Sequence, residues 1–238
     1  LSLPNIPTND VYYKRQLSVY NFNVHILASR KSVFFIYPEC SGKKGSDDVC
    51  SMLHKFVYDE LDERVRKLEV FCDGCSGQNK NYTLVRFFHN LVHTERRFDL
   101  ITASFPVRGH SYLETDKNLG LINQKTRTEL PHDWIEVFET ARTNPSPFIV
   151  HEATIDTFRQ WTAHLAPFYK KKCPFATRPV REIVFEINLK KEVKFRTSFN
   201  GAFELASITT MDLPPHGNNE GEFNLPNFSY EGKQYYFH

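Results

Sequence analysis

Short runs of β-branched and aromatic residues alternate along the chain with longer stretches in which apolar residues recur every three or four positions. Runs of the first kind predict strands, and stretches of the second kind predict amphipathic helices. We expect strands at 17–27, 32–37, 68–72 and 99–107, and helices near 46–62 and 79–94. Because strands and helices interleave, the pattern indicates an α/β core in which these four strands form one mixed sheet flanked by the helices.

The later part of the chain predicts further helices and then a change to strands. Helices are expected from Glu114, from Asp133 and over 155–165. Beyond Pro167, segments 182–188 and 192–199 alternate apolar with polar residues, which indicates two or three strands in a small β-rich C-terminal extension. We therefore divide the chain into a core (1–166), a β-rich extension (167–210) and an irregular tail rich in Pro, Asn and Gly (211–238).

The composition is close to that of an ordinary soluble protein, with 40% hydrophobic and 24% charged residues. No run approaches the ~20 apolar residues of a membrane span, so no membrane association is expected. Five cysteines, an odd number that is sparse for 238 residues, favour a reducing compartment such as the nucleus or cytoplasm. The net charge of +2 is weak, so any nucleic-acid surface must be a local patch.

The cysteines raise one alternative, a zinc-stabilised interaction module. Cys72 and Cys75 form a CxxC pair, and Cys40 and Cys50 would complete a set of four ligands. A zinc ribbon pairs two CxxC knuckles, whereas this chain has one, so the sequence disfavours zinc.

The stretch from Val70 to Asn81 carries the strongest chemical signal. An apolar run ends there in Asp73, which is followed by two glycines, small polar residues and a helical pattern. A carboxylate at the carboxyl end of a strand lies where open α/β sheets bind ligands and metals. The alternative is that Asp73 only caps the turn. Gln78, Asn79 and Asn81 could orient a phosphate or a water, although Asn is also an ordinary helix N-cap.

A second carboxylate, Asp116, occupies a similar position after the next predicted strand and at the start of a helix. Two carboxylates at one end of a sheet suit Mg²⁺ or Mn²⁺, and two such ions can hold the attacking and leaving oxygens of a phosphodiester. Glu114 competes with Asp116 for the metal. His110, in the preceding turn, could be a ligand or a proton carrier, or an ordinary turn histidine. Glu39, which follows a predicted strand, could be an additional candidate acid or a solvent-exposed residue at the end of that strand.

Three blocks of this sequence resemble a transposon-derived domain common in invertebrate genomes. They are Tyr12–Phe22, Asp73-Gly-Cys-Ser-Gly-Gln-Asn-Lys-Asn81, and Arg108–Asp116 with Gly120. The order of elements is similar to the ribonuclease H-like fold of DDE/D transposases and integrases, and the resemblance covers roughly residues 1–165. It implies that Asp73 and Asp116 are two of the catalytic acids, with His110 assisting, and it favours Asp116 over Glu114.

One departure from that fold concerns the first acid. The first acid belongs on the first strand, and neither strand of the predicted hairpin contains an Asp. The resemblance implies a strand with an Asp just before Leu1, or else a lineage that has lost this acid. The leading interpretation is metal-dependent phosphodiester cleavage or strand transfer on DNA by a transposase-derived enzyme. The alternative is a domesticated, catalytically inactive domain that binds DNA or protein.

Basic residues supply the candidate DNA contacts. Five of them crowd a dozen residues of a chain with nearly balanced charge, and each phosphate that they neutralise would release counterions. They are Lys170, Lys171, Lys172, Arg178 and Arg181. Four more lie near the two acids, namely Lys80, Lys117, Lys125 and Arg127. The lysine run could equally be a solvated face, and homo-oligomerisation is left open.

Overall fold

The structure, a computed structural model, describes residues 2–3, 17–106, 113–122, 128 and 130–210, and the statements below concern those residues. Nine strands lie among them: β1 Ser2–Leu3, β2 Leu17–His25, β3 Ser32–Pro38, β4 Lys67–Phe71, β5 Leu100–Ser104, β6 Ile149–Glu152, β7 Glu182–Glu186, β8 Glu192–Arg196 and β9 Glu204–Ser207. Five α-helices accompany them: α1 Ser46–Asp59, α2 Tyr82–His93, α3 Glu114–Ile122, α4 Pro131–Ala141 and α5 Trp161–Leu165.

The strands form two mixed sheets, with the orders β1-β2-β3-β6 and β4-β5-β7-β8-β9. The hairpin of β2 and β3 is antiparallel as predicted, and β6 runs parallel to β3. In the second sheet β4 is parallel to β5, whereas β7, β8 and β9 add antiparallel strands. The mixed α/β class is confirmed. The prediction of one sheet for all four early strands is wrong, because hydrophobic runs locate strands but do not specify their neighbours.

One hydrophobic core nevertheless lies beneath both sheets. Val24 and Phe35 of the first sheet belong to the same buried cluster as Leu68, Ile101 and Phe185 of the second. The inner faces of α1 and α2 complete this cluster, and their buried residues recur at helical spacing. The two sheets therefore share one buried cluster.

The first sheet is also covered on its other face. Phe34 and Ile36 pack there with Trp134 and Phe138 of α4, and Ile122 of α3 joins the same cluster. Because neighbouring residues of a strand point to opposite faces, β3 is buried on both sides. This double burial explains its unbroken apolar run, which is typical of a central strand.

The N-cap of α1 is Gly45, which forms no side-chain cap. One helix prediction needs correction. The helix expected over 155–165 is instead a 3-10 turn at Ile155–Thr157 followed by α5. The backbone N–H of Arg159 donates to Ser51 Oγ at 3.0 Å. This contact with α1 prevents the residues between the 3-10 turn and α5 from continuing as one helix. The spacing of apolar residues within the segment cannot predict such a contact.

The β-rich extension is part of the second sheet. Its first strand, β7, pairs with β5 over all five residues, from Leu100 opposite Glu186 to Ser104 opposite Glu182. Farther along, an isolated bridge joins Tyr169 to Thr209. The tail at 211–238 lies outside the described residues. None of the described helices is long and apolar enough to cross a membrane.

A buried polar network anchors α3 to the first sheet. Asn118 Nδ2 donates to Ser32 Oγ at 2.9 Å, and Arg142 Nη1 donates to Asn118 Oδ1 at 3.3 Å. His25 Nδ1 lies 2.8 Å from the same Ser32 hydroxyl, so one serine joins the β2–β3 hairpin to two helical elements. All four residues are buried. The network fixes the position of α3, and with it Asp116, on the first sheet.

Replacing Asn118 with leucine should destabilise the protein by about 2–3 kcal/mol, because the change removes two hydrogen bonds and leaves Ser32 and Arg142 with fewer partners in the interior. Urea denaturation measures this loss. The control is Leu121→Ala on the exposed side of the same helix, where the expected change is within about 0.5 kcal/mol. Equal effects of the two substitutions would contradict an anchoring role for Asn118.

Candidate active site

The candidate site lies at the edge of the second sheet where β4 and β5 end. Parallel strands present their carboxyl ends at one edge, and Asp73 follows β4 by two residues. The backbone N–H of Cys72 donates to Ser104 O at 3.0 Å, so pairing with β5 continues almost to the acid. Asp73 is exposed, as a ligand-binding carboxylate requires.

Asp73 also organises the loop that follows it. Its Oδ1 accepts hydrogen bonds from Cys75 N at 3.3 Å and from Asn79 Nδ2 at 2.6 Å. The turn is tightened by Cys75 O, which accepts the backbone N–H groups of Gln78, Asn79 and Lys80. Both described bonds to Asp73 fall on Oδ1, which leaves Oδ2 for a ligand. The carboxylate therefore caps the turn with one oxygen and presents the other.

Asn81 has the capping role that was one of its two interpretations. Its side chain accepts from Leu84 N at 3.0 Å, and its Nδ2 donates to Gln78 O at 3.0 Å. The side-chain oxygen thus satisfies one of the free N–H groups at the start of α2. Gln78 and Asn79 remain at the loop beside Asp73.

Asn81→Ala should lower the free energy of unfolding by about 1 kcal/mol, the usual cost of losing an N-cap acceptor. Chemical denaturation monitored by circular dichroism measures the loss. Asn81→Ser keeps an acceptor oxygen at the same position and should recover at least half of the stability. If serine proves no better than alanine, the cap is not what stabilises the start of α2.

The thiols of Cys72 and Cys50 have raised pKa values. Burial, helped by the nearby charge of Asp73, raises the pKa of the Cys72 thiol to about 12. Cys50 is fully buried inside α1, and burial raises its pKa well above the ordinary value. Among the described residues, no group of three or more His, Cys, Asp or Glu side chains is placed to hold a metal ion.

Strand pairing brings two arginines of the extension to the edge where Asp73 lies. Phe105 N, just past β5, donates to Arg181 O at 2.8 Å. Lys80 Nζ donates to Arg178 O at 2.8 Å, which ties the Asp73 loop to a segment almost a hundred residues later. Arg178 is exposed and Arg181 is half-exposed. Their guanidinium groups are therefore suited to binding an anion held at this edge.

Lys80 itself is buried. It is 6% exposed, and its ammonium lies 5.1 Å from the centroid of the Phe105 ring. Burial, together with the nearby Arg181, lowers its pKa. We expected Lys80 to contact DNA, but its ammonium is engaged inside the protein, so Arg178 and Arg181 are the cations that face outward. A lysine in a polar loop gives no sequence signal of this role.

The edge also carries a carboxylate that the sequence pattern did not single out. Glu182 begins β7 opposite Ser104, whose hydroxyl donates to Glu182 Oε1 at 3.4 Å. Arg196 Nε donates to the other oxygen, Oε2, at 2.6 Å. The alternating pattern predicted a strand here, but only the register shows at which edge Glu182 lies.

The second predicted acid lies on α3, on the part of the chain anchored to the first sheet. Asp116 is exposed, whereas Glu114 forms an ion pair with Lys117 at 2.7 Å. Lys117 thus has an acidic partner, although its side chain remains 66% exposed. No hydrogen bond or ion pair between described residues joins Asp116 to the Asp73 loop. Their convergence remains a prediction, and His110, Lys125 and Arg127 lie outside the described residues.

The lysine run begins beside the end of β9. Lys170 N donates to Ile208 O at 2.8 Å, just past the end of β9. In the register of the second sheet, the end of β9 lies with Glu192 and Glu186 at the edge opposite Asp73. The carbonyl of Lys170 also accepts from Arg86 Nη2 of α2 at 2.7 Å, and DNA binding by the five basic residues stays a prediction.

Comparison with known proteins gives one match. Residues 18–198 match the family described as Domain of unknown function (DUF7869), a span that runs from the start of β2 to just beyond β8. Among curated proteins and among solved structures, none matches the chain.

Proposed function

This chain belongs to the DUF7869 family, a domain of unknown function, and from that premise we propose that it is a metal-dependent nuclease or strand-transferase of transposase descent acting on DNA. In this proposal Asp73 and Asp116 hold Mg²⁺ or Mn²⁺, and the ions position the attacking and leaving oxygens of a phosphodiester. His110 assists proton transfer, and arginines hold the phosphate backbone. The proposed superfamily is that of the ribonuclease H-like DDE/D enzymes.

One observation carries the proposal. The exposed carboxylate of Asp73 follows β4 by two residues with its Oδ2 available. The register of β5 and β7 brings Arg181 to the same edge, and the bond from Lys80 Nζ to Arg178 O brings Arg178 there. A carboxylate with an available oxygen suits a hard divalent ion, and adjacent guanidinium groups suit the phosphate that such an ion binds. The positive charges of the metal ion and the guanidinium groups would thus offset the negative charge of the substrate phosphate within one site.

The strand pairing is compatible with a further acid beside Asp73. Among the described strands, β4 has β5 as its neighbour on one side, and β2 meets β1 through Ser18 and Leu17 alone. A strand antiparallel to β2 and parallel to β4 would complete a single sheet above the shared core. In the proposed superfamily the first strand bears the first acid.

The second candidate function is a domesticated domain that binds DNA or protein without cleaving. The observation in its favour is the use of Asp73 Oδ1 as a turn cap by Cys75 N and Asn79 Nδ2. A carboxylate with this structural role would be retained after catalysis had been lost. The arginines at the edge would then be the functional remnant.

A cleavage assay distinguishes the two functions. Labelled duplex and single-stranded DNA are incubated with the protein in Mg²⁺, in Mn²⁺ and in EDTA, and strand scission is measured on a denaturing gel. The nuclease predicts products that depend on the metal and carry one type of end. Salt-dependent binding with no scission under any metal condition would favour the non-catalytic domain.

A further inference from the structure

The two arginines near Asp73 are held there by different contacts. Arg181 belongs to the second sheet, because its backbone N–H donates to Arg196 O at 2.8 Å and its carbonyl accepts from Phe105 N at 2.8 Å. Arg196 is the last residue of β8, and Phe105 directly follows β5. Hydrogen bonds to strands on both sides therefore fix the backbone of Arg181 independently of the Asp73 loop.

Arg178 lies outside this strand pairing, in a turn before β7 where it is exposed. The turn is closed by Val180 N, which donates to Thr177 O at 3.2 Å. Within the part of the chain that the structure describes, one hydrogen bond joins this turn to a distant segment, and it runs from Lys80 Nζ to Arg178 O at 2.8 Å. The position of Arg178 therefore depends on Lys80, whereas that of Arg181 does not.

Lys80 is itself held at both ends. Its backbone N–H donates to Cys75 O at 2.9 Å, within the loop that Asp73 organises. Its ammonium is buried and lies 5.1 Å from the centroid of the Phe105 ring. A buried ammonium without a hydrogen-bond acceptor is costly, and a hydrogen bond in the interior is stronger than one in water. The bond to Arg178 O is therefore strongly favoured.

We propose that Lys80 is a positioning residue, which holds Arg178 at a fixed place beside Asp73 so that the Arg178 guanidinium contacts a DNA phosphate. This inference rests on the proposed function, which makes DNA the ligand of this edge. Lys80 touches no DNA in this proposal, because its ammonium is engaged inside the protein. Loss of its bond should release the turn that carries Arg178 and should leave Arg181 in place.

A double-mutant cycle separates such positioning from a general loss of stability. Lys80→Met keeps an unbranched side chain against Phe105 but cannot donate to Arg178 O. Arg178→Gln removes the charge that would contact a phosphate. Binding of a labelled duplex of about 20 base pairs, roughly two DNA turns, is measured by anisotropy in EDTA over a range of salt concentrations. The native protein, both single variants and the double variant are compared.

In the native protein, Arg178→Gln should reduce the slope of log affinity against log salt by about 0.9, the value for one lost phosphate contact. In the Lys80→Met background the same substitution should reduce the slope by less than half as much, because Arg178 has already left its position. Arg181→Gln should have the same effect in both backgrounds. Equal effects of Arg178→Gln in the two backgrounds would overturn the proposal, and so would no effect in the native protein.

Arg97→Met is the matched control for the loss of a buried cation. Arg97 is 7% exposed, its guanidinium lies 4.6 Å from the centroid of the Phe98 ring, and its Nη1 donates to Val65 O at 2.8 Å. Val65 precedes β4, so this bond lies at the edge opposite the candidate site. Arg97→Met should lower the melting temperature without changing the effect of Arg178→Gln. A reduced effect in both the Arg97→Met and the Lys80→Met backgrounds would show a response to stability alone and would overturn the proposal.

The positioning role and the nuclease can fail separately, because binding in EDTA needs neither a metal ion nor cleavage. Coupling between Lys80 and Arg178 in a protein that never cleaves DNA would retain the positioning role and reject the nuclease. Independent effects of the two substitutions in a protein that cleaves with Mg²⁺ would retain the nuclease and reject the positioning role. If Lys80→Met does not fold, Lys80→Gln replaces it in the cycle, since the glutamine amide ends one bond short of the ammonium.

Discussion

Asp73→Asn should reduce metal-dependent DNA cleavage by about a thousandfold, equivalent to about 4 kcal/mol of transition-state stabilisation, while the protein remains folded. The amide has the volume of the carboxylate, and its oxygen can still accept from Cys75 N and Asn79 Nδ2, which bond Asp73 in the native turn. The negative charge that attracts the cation is lost. Initial rates at saturating Mg²⁺ or Mn²⁺, together with thermal melting, separate the loss of chemistry from the loss of fold.

Asp116→Asn should lose activity to a similar extent, because both carboxylates are proposed to share the metal ions. Glu114→Gln is the control on the same helix, since Glu114 already pairs with Lys117 at 2.7 Å. Cleavage that survives Asp73→Asn, or a loss for Glu114→Gln as deep as that for Asp116→Asn, would contradict the site. So would a metal-bound structure with the two carboxylates more than about 10 Å apart, because a two-metal pair spans only ~4 Å.

Acidification should destabilise the protein through two neighbouring histidines of α2. His89 and His93 are buried, and their ring centroids lie 4.1 Å apart. Both Nε2 atoms are buried, with no hydrogen-bond partner among the described residues. Burial holds the pKa of His89 well below its ordinary value, and the neighbouring His93 lowers it further. Burial, with Arg96 and Lys190 nearby, lowers the pKa of His93 to about 4.

The direction of the effect follows from proton counting. Below pH ~6.5 the unfolded chain protonates these histidines, whereas the folded protein keeps them neutral, so the unfolded state binds more protons. The free energy of unfolding should therefore fall as the pH falls from ~6.5 toward ~4, by up to about 1.4 kcal/mol per pH unit for each histidine. Above pH 7 the two residues should contribute no pH dependence.

Denaturation curves at pH 7.5, 6.5 and 5.5 measure this slope. A variant with both His89→Gln and His93→Gln should have a much flatter pH dependence, whatever its absolute stability, because the amide does not titrate. The single variant His93→Gln should lose about half of the slope. A pH dependence that is the same in the double variant and in the native protein would place the acid sensitivity elsewhere.

The sequence predicted secondary structure better than the association of strands. The run Val33–Tyr37 indicated a strand, and the structure shows why it is so apolar, since Phe34 and Phe35 enter different clusters. Nothing in the run specifies that β3 pairs with β6, more than a hundred residues away, and not with β4. Partner choice depends on which helices cover which face, and that is a tertiary property.

The candidate site was predictable in part. The sequence shows an apolar run that ends in Asp73 and is followed by glycines and a helical pattern. This pattern identified the acid and its turn. The contribution of the β-rich extension to the site could not be predicted from the sequence. Arg181 reaches the same edge only because Ser104 pairs with Glu182, and Lys80 turns inward because Arg178 O accepts its hydrogen bond. Register and burial of this kind are set by contacts between distant segments.

Because β7 pairs with β5, the second sheet can be completed only late in synthesis of the chain. During synthesis, β4, β5 and the Asp73 loop leave the ribosome well before residues 182–186, which supply the next strand of their sheet. Until that strand arrives, β5 presents an open edge that could pair with another chain. The arginines at the Asp73 edge are delivered by the same late segment. A nascent or truncated chain that ends before Arg178 would therefore have the acid without its basic partners.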